Sequence, residues 1–311
     1  MKTVRIHEYG NADVLHFDEI PVPSIAADEL LIKIHAASVN PYDWQLREGF
    51  YKDMTRFDFP IALGQDFSGT VEKAGSSTTG FKVGDKVYGR RPSMQRDGAF
   101  AEFIEVKAAD VALMPKTITF DEAASIPLAG TTAWDTLVNR AKIQKGQRVL
   151  ILAASGGVGS LAVQIAKSKG CYVIGTTSSS NMDFVKKLGA SEVFDYMTQD
   201  FSEKLRDVDV VLDTIGGAIQ EKAFKVLKRG GVLISIKSKP DQNLSERMGV
   251  RSEYVSVGPN AHILNELRSL IELGQIHPVV DKVFKFNDVK QAQNYSQSGK
   301  ARGKIVLEIA N

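Results

Sequence analysis

Val149-Leu150-Ile151-Leu152-Ala153-Ala154-Ser155-Gly156-Gly157-Val158-Gly159 is the stretch that decides the fold. An apolar strand runs into a glycine turn, and residues 160–169 continue with an amphipathic helical pattern. Gly156 has no side chain, so a pyrophosphate can approach the backbone there. The N–H groups and dipole of the following helix favour that anion. Gly159 lets the helix pack closely on the strand. The pattern is A-x-G-x-x-G, with Ala154 at the first place. A glycine triplet alone is weak evidence, but here a strand precedes it and a helix and second strand follow. The expected ligand is a dinucleotide, bound by Ser155, Gly156, Gly157, Val158 and Gly159.

Downstream of this turn, strands and helices alternate. Strands are expected over 149–153, 172–177, 192–196, 208–213, 231–236 and 254–257, with helices over 160–169, 182–188 and 219–227. This is the rhythm of a doubly wound parallel sheet, an α/β fold. Upstream, the first 120 or so residues read as β-rich, with short alternating runs at 30–36, 67–75 and 86–89 between glycine turns. A helix opens near Asp121, with Thr119 or Asp121 as its cap. After Gly258-Pro259 come one more helix, 261–273, and two β-like pieces, 279–283 and 304–309. The tail is read as rejoining the first part. The expected division is 1–122 with 258–311 for one domain and 123–257 for the other.

Composition removes several function classes. The chain has 311 residues, 43% hydrophobic and 24% charged, with a formal net charge of +2. That balance gives no reason to hold a polyanion, so neither nucleic acid nor an acidic membrane is an expected partner. The charged N-terminus and the lack of any apolar run of 18 residues argue for a cytoplasmic protein. The single cysteine, Cys171, excludes an internal disulfide and a cysteine-based zinc site. It opens an apolar run and reads as a buried, inert thiol. His7, His16, His35, His262 and His277 show no ligand spacing.

The choice of dinucleotide falls to the end of the second strand. An NAD site places Asp or Glu about 20 residues beyond the turn to hold the ribose hydroxyls. This chain has Thr176, Thr177, Ser178, Ser179, Ser180 and Asn181, with no carboxylate before Asp183. Hydroxyls and amides can donate to a 2′-phosphate, so NADPH is expected, with Thr176 and Ser178 among its contacts.

The chain resembles the medium-chain dehydrogenase/reductase superfamily along nearly its whole length. The markers are Gly64-Gln65-Asp66-Phe67-Ser68-Gly69-Thr70-Val71 with Gly75, Phe81-Lys82-Val83-Gly84-Asp85-Lys86-Val87, Ala123-Ala124-Ser125-Ile126-Pro127, Gly130-Thr131-Thr132-Ala133 and the glycine turn. The resemblance implies a GroES-like β-rich catalytic domain beside the Rossmann domain. Where zinc alcohol dehydrogenases of this superfamily hold catalytic metal, the chain presents Asn40, Gln65 and the neighbourhood of Pro127, so no metal is expected. Asn40-Pro41-Tyr42-Asp43-Trp44-Gln45-Leu46-Arg47-Glu48-Gly49-Phe50-Tyr51 resembles the zinc-free quinone oxidoreductase branch, the zeta-crystallin-like one. Its pattern is N-P-x-[DE]-x-x-x-R-x-G-x-Y. Gln45 departs from several relatives, which carry tyrosine there.

On this resemblance the nicotinamide is expected to reach Asn40, Gln65 and Thr131. Asn40 and Tyr51 would hydrogen-bond the acceptor oxygen as charge develops. Tyr196 is similar to a family residue stacked near the adenosine phosphate, and Arg302 would add charge. Asp43 and Arg47 read as a structural pair tying the loop. The expected reaction is hydride transfer from NADPH to a quinone, with enone or 2-alkenal reduction as the alternative. A homodimer is expected through the last sheet strand, 254–257, whose apolar edge would otherwise stay unpaired.

Overall fold

The computed structural model describes residues 1–54, 58–92 and 97–310. Contacts divide them into two compact units. Residues 1–128, 258–273 and 278–311 form one, and residues 129–257 with 274–277 form the other.

The second unit is built on parallel strands in the order Glu192–Asp195, Tyr172–Thr177, Arg148–Ile151, Val208–Asp213, Leu227–Ser235, Arg251–Tyr254. In sequence terms this is 3-2-1-4-5-6, the order of a dinucleotide-binding Rossmann sheet. Its first strand, Arg148–Ile151, is where the order reverses, so chains leave it to both sides. The crevice at its C-terminal end is the place where such sheets bind ligands. Residues 149–151, 173–174, 210–212 and 233–234 are buried apolar runs, as expected of parallel strands. Leu150, Leu152, Ile174, Val211 and Leu233 are fully buried in one core with Phe224 and Phe194.

The expected strands 172–177 and 208–213 appear with those bounds. The last strand differs. It is Arg251–Tyr254, and it carries Arg251 and Glu253 rather than an apolar edge. Glu253 pairs with both Arg140 and Arg251. Val255 lies beyond the strand, where its N–H still donates to Ser235 O at 2.9 Å.

In the first unit a β-sheet is centred on the long strand Glu29–Val39. Asp66–Ala74 pairs antiparallel on one side and Lys304–Glu308 on the other, with Phe103–Lys107 also joined to it. Its pairing with Asp66–Ala74 shifts register twice, between Leu31 and Ile32 and between Ile34 and Ala36. A smaller sheet joins Lys2–Ile6 to Leu15–Glu19 and Ile61–Ala62. The tail therefore returns as an inner strand, and Ile305 and Leu307 complete the core with Ile32, Ile34 and Phe67. Thr119, not Asp121, caps the helix Phe120–Ala124. Its hydroxyl accepts from the Glu122 N–H, and Glu122 reaches back to the Thr119 N–H at 2.8 Å. Among the described residues no helix is long and apolar enough to cross a membrane.

Candidate active site

In the second unit the turn leads directly from strand to helix. Gly156, in extended backbone, is the N-cap of the helix Gly157–Ser168. Gly157, Val158 and Gly159 supply its first turn, whose N–H groups have no intrahelical acceptor. A Cβ on Gly159 would lie 2.2 Å from Ala153 O and 2.8 Å from Ala154 Cα, so the helix can sit this close only over a glycine. Gly156 is different: its Cβ would meet only Ala153 O, at 3.4 Å. Ala153 itself takes a left-handed φ of 50° to make the turn.

Polar side chains gather at the ends of the flanking strands. Thr176 accepts from the Ala153 N–H at 3.2 Å and so ties the second strand to the turn. Thr177 donates to Ser155 Oγ at 2.8 Å. Ser178 accepts from Asn181 Nδ2 at 3.3 Å and shares a hydrogen bond with Ser180. Tyr196 is exposed, and its N–H donates to Thr177 O at 3.1 Å. These residues form one constellation. Arg302 belongs to the first unit, exposed just ahead of the strand Lys304–Glu308.

Sequence reading missed one acid here. Asp195, at the end of the third strand, accepts from Ser179 Oγ at 2.6 Å, Thr198 Oγ1 at 3.1 Å and the Met197 N–H at 3.0 Å. These hydrogen bonds, Ser179's foremost, hold its carboxyl below the usual range. Counting residues beyond the turn could not find it, because it arrives from the neighbouring strand.

In the first unit Asn40 ends the strand Glu29–Val39 and caps the helix Pro41–Arg47. Pro41 suits the first helical position, which needs no N–H donor. Asp43 reaches back to the Asn40 N–H at 2.6 Å, the return half of a capping box. Arg47 turns the other way, to Gly10 O, Gln293, Glu48 and Gln297. Asp43 and Arg47 therefore do not pair as the sequence suggested, because this segment is a helix and its third residue is occupied at the cap. Tyr51 follows the helix, half-buried, stacked on Tyr42 at 5.1 Å and donating to Gln45 Oε1 at 2.7 Å. Gln65 and Thr131 are both buried.

The Asn40 side chain turns inward, to two residues that sequence reading did not single out as site residues. Its Nδ2 donates to Asp66 Oδ2 at 3.0 Å and, at 3.5 Å, to Ser38 O. Its Oδ1 accepts from Lys304 Nζ. Asp66 also accepts from Ser38 Oγ at 2.7 Å and from the Leu128 N–H at 2.9 Å. The signal for Lys304 was a lysine opening an otherwise apolar strand, Ile305-Val306-Leu307. Burial lowers its pKa, opposed chiefly by Asp66.

Asp43 is fully buried, and its pKa is pushed up to about 7, first by desolvation, against the Asn40 hydrogen bond. The folded form then holds the proton more tightly than the unfolded form, whose value is 3.8. That contribution to stability is complete below about pH 4 and is lost as pH rises to about 7. Asp43→Asn is expected to remove this slope. Relative to the wild type, the variant should gain at least about 1 kcal/mol between pH 4 and pH 7, the energy of roughly one pKa unit. Urea denaturation at four pH values measures this, and parallel wild-type and variant curves would contradict it.

The two families that match are an alcohol dehydrogenase GroES-like domain, over residues 26–116, and a zinc-binding dehydrogenase domain, over residues 188–307. Zinc is held by thiolates, imidazoles and carboxylates. Asn40 and Gln65 offer amides, and a lysine ammonium points at the Asn40 oxygen, so these residues do not fit that metal. Among the described residues no group of three or more His, Cys, Asp or Glu could hold one. The chain is 37% identical to a 2-methylene-furan-3-one reductase of Solanum lycopersicum, covering 99% of this chain and 79% of the relative. It is 36% identical to a chloroplastic NADPH-dependent alkenal/one oxidoreductase of Arabidopsis thaliana, with the same coverages. A quinone oxidoreductase from Coxiella burnetii superposes with a TM-score of 0.93 at 32% identity, over 100% of this chain and 99% of the other. One of these relatives is chloroplastic, so relatives of this chain are not confined to the cytoplasm. By its sheet order, its glycine turn and relatives aligned over nearly its whole length, the protein belongs to the medium-chain dehydrogenase/reductase superfamily and is an oxidoreductase akin to the quinone oxidoreductases.

Proposed function

We propose that the protein reduces quinones with NADPH by direct hydride transfer. The observation that carries this reading is the open N-terminus of the helix Gly157–Ser168 at the reversal point of the sheet, ringed by Ser155, Thr176, Thr177, Ser178 and Asn181. Amide donors there suit a pyrophosphate. The hydroxyl and amide groups beyond them suit a 2′-phosphate. Asp195 opposes that charge, but three hydrogen bonds already engage its oxygens. When bound, the cofactor supplies the hydride, and water supplies the proton that completes the hydroquinone.

The chain's own residues bind, orient and polarise. Both amide hydrogens of Asn40 are committed to Asp66 and Ser38. The donor to a developing oxyanion is assigned to the half-buried Tyr51, whose hydroxyl would exchange Gln45 Oε1 for the acceptor oxygen, and the buried Asn40 serves to orient. Enones are the second reading, favoured by the names of the tomato and Arabidopsis relatives. An enone is harder to reduce than a quinone and depends more on polarisation of its carbonyl.

Initial rates with NADPH and NADH against 1,4-benzoquinone, a cyclic enone and a 2-alkenal test the reading. Turnover of the quinone with NADPH is expected, and inactivity with every acceptor would refute it. In the same assay Tyr51→Phe is expected to lower kcat roughly ten- to a thousandfold, as single oxyanion-donor deletions do, with NADPH affinity unchanged. A loss on the enone alone would favour the second reading, and an unchanged kcat on all acceptors would reduce Tyr51 to packing.

A further inference from the structure

Lys304 presents a problem of energetics. A lysine taken out of water costs several kcal/mol unless its charge is paired and hydrogen-bonded. Here the ammonium is 7% exposed at the side chain and lies against Asn40 Oδ1 and Asp66 Oδ2, 3.4 Å from the latter. The charged groups acting on it come from three other elements: Asp66 and Asp43, which favour its charge, and Arg90, which opposes it.

The cluster has a direction. A carboxamide has an oxygen end and an NH2 end and can turn by 180° to exchange them. In the observed orientation the oxygen of Asn40 meets the ammonium and the NH2 meets the carboxylate. Turned over, donor would face donor and acceptor would face acceptor, both inside a low-dielectric interior where unmatched polar groups are most costly. Lys304 and Asp66 together therefore select one orientation. Asn40 is also the N-cap of the helix Pro41–Arg47, which carries Gln45, the partner of Tyr51. Asp66 in turn holds Ser38 beside Asn40 and accepts from the Leu128 N–H.

We propose that Lys304 is the positioning residue of the active site. It fixes the Asn40 carboxamide and the Asp66 carboxylate, and through them the segment that presents Tyr51 for catalysis. This rests on the reductase reading above. Lys304 itself touches neither acceptor nor cofactor in this proposal.

The experiment compares wild type, Lys304→Met and the double variant Lys304→Met/Asp66→Asn. Thermal melting, calorimetric NADPH affinity and steady-state kinetics with benzoquinone and an enone are measured for each. Lys304→Met is expected to keep NADPH affinity within about twofold and to lose at least tenfold in kcat, with a lower melting temperature. The double variant removes both buried charges. It is expected to regain melting temperature while kcat stays low, because only the long contact to Ser38 O then favours one Asn40 orientation. Should the single variant fail to fold, the double variant carries the test alone. A double variant that recovers wild-type kcat would overturn the proposal, since Lys304 would then only balance Asp66. So would a folded single variant with wild-type kcat. A wild type idle on every acceptor would overturn the reductase reading and this inference together. A wild type that turns over while Lys304→Met matches it overturns the inference alone.

Discussion

Gly156→Asp is expected to abolish NADPH binding while leaving the fold as stable as before, or more so. Gly156 is the N-cap of the helix Gly157–Ser168 in extended backbone that any residue can adopt. A Cβ there meets Ala153 O at an ordinary 3.4 Å. Aspartate is among the preferred N-cap residues, and its carboxylate can accept from the orphan N–H groups of the first turn. Those are the groups offered to the pyrophosphate. The substituted chain would satisfy its own helix and repel the ligand in one stroke. Two unit charges about 4 Å apart at an effective dielectric near 20 repel by about 4 kcal/mol, roughly a thousandfold in affinity. Calorimetry with NADPH, alongside a thermal melt, separates the two effects. Retained micromolar binding would mean that the anion does not sit on this turn. A collapsed melt would mean that the backbone there has no room for a side chain.

Gly159→Ala, three residues on, is expected to do the opposite and strike the fold first. Its added methyl would lie 2.2 Å from Ala153 O and 2.8 Å from Ala154 Cα, both backbone atoms that cannot rotate aside. The helix must lift off the strand Arg148–Ile151, opening contacts of the fully buried Leu161, Ala162 and Ile165. Overpacking of a tight interior costs about 1–3 kcal/mol. A clash with backbone belongs at or beyond the upper end. Urea denaturation should show a loss of about 3 kcal/mol or more, with NADPH binding weakened as a consequence of the moved helix. A variant as stable as the wild type would show that the helix can shift freely. The two glycines thus differ in kind: one keeps space for a ligand, the other for the chain.

How much of this was legible in the sequence follows from the range of each interaction. The parallel strands Tyr172–Thr177 and Val208–Asp213 could be bounded from their apolar runs, because a strand buried on both faces advertises itself. The glycine turn was legible for the same local reason. The edge strand was misplaced by three residues: Val255 and Val257 are apolar, but the pairing with Leu227–Ser235 begins at Arg251. Pairing partners are set by register with a distant segment, and an edge strand shows only half the burial signal. The Lys304 contacts to Asp66 and Asn40 span 238 and 264 residues. Neither periodicity nor spacing reaches so far. Asp43 and Arg47 were misread for a smaller reason, a strand-turn geometry assumed where Pro41 starts a helix.

The inner position of the strand Lys304–Glu308 has a consequence for how the chain is made. Residues 129–257 and their helices emerge from the ribosome as an almost complete unit. The first unit, begun earlier, still lacks the strand that pairs with Glu29–Val39 and the lysine that neutralises Asp66. At about 5–20 residues per second, the 176 residues from Leu128 to Lys304 take roughly 9 to 35 s to synthesise. Until then the edge of Glu29–Val39 that meets the tail has no partner strand, and the Asn40–Asp66 corner lacks its ammonium. The first unit can therefore complete its central sheet only after the second has been made.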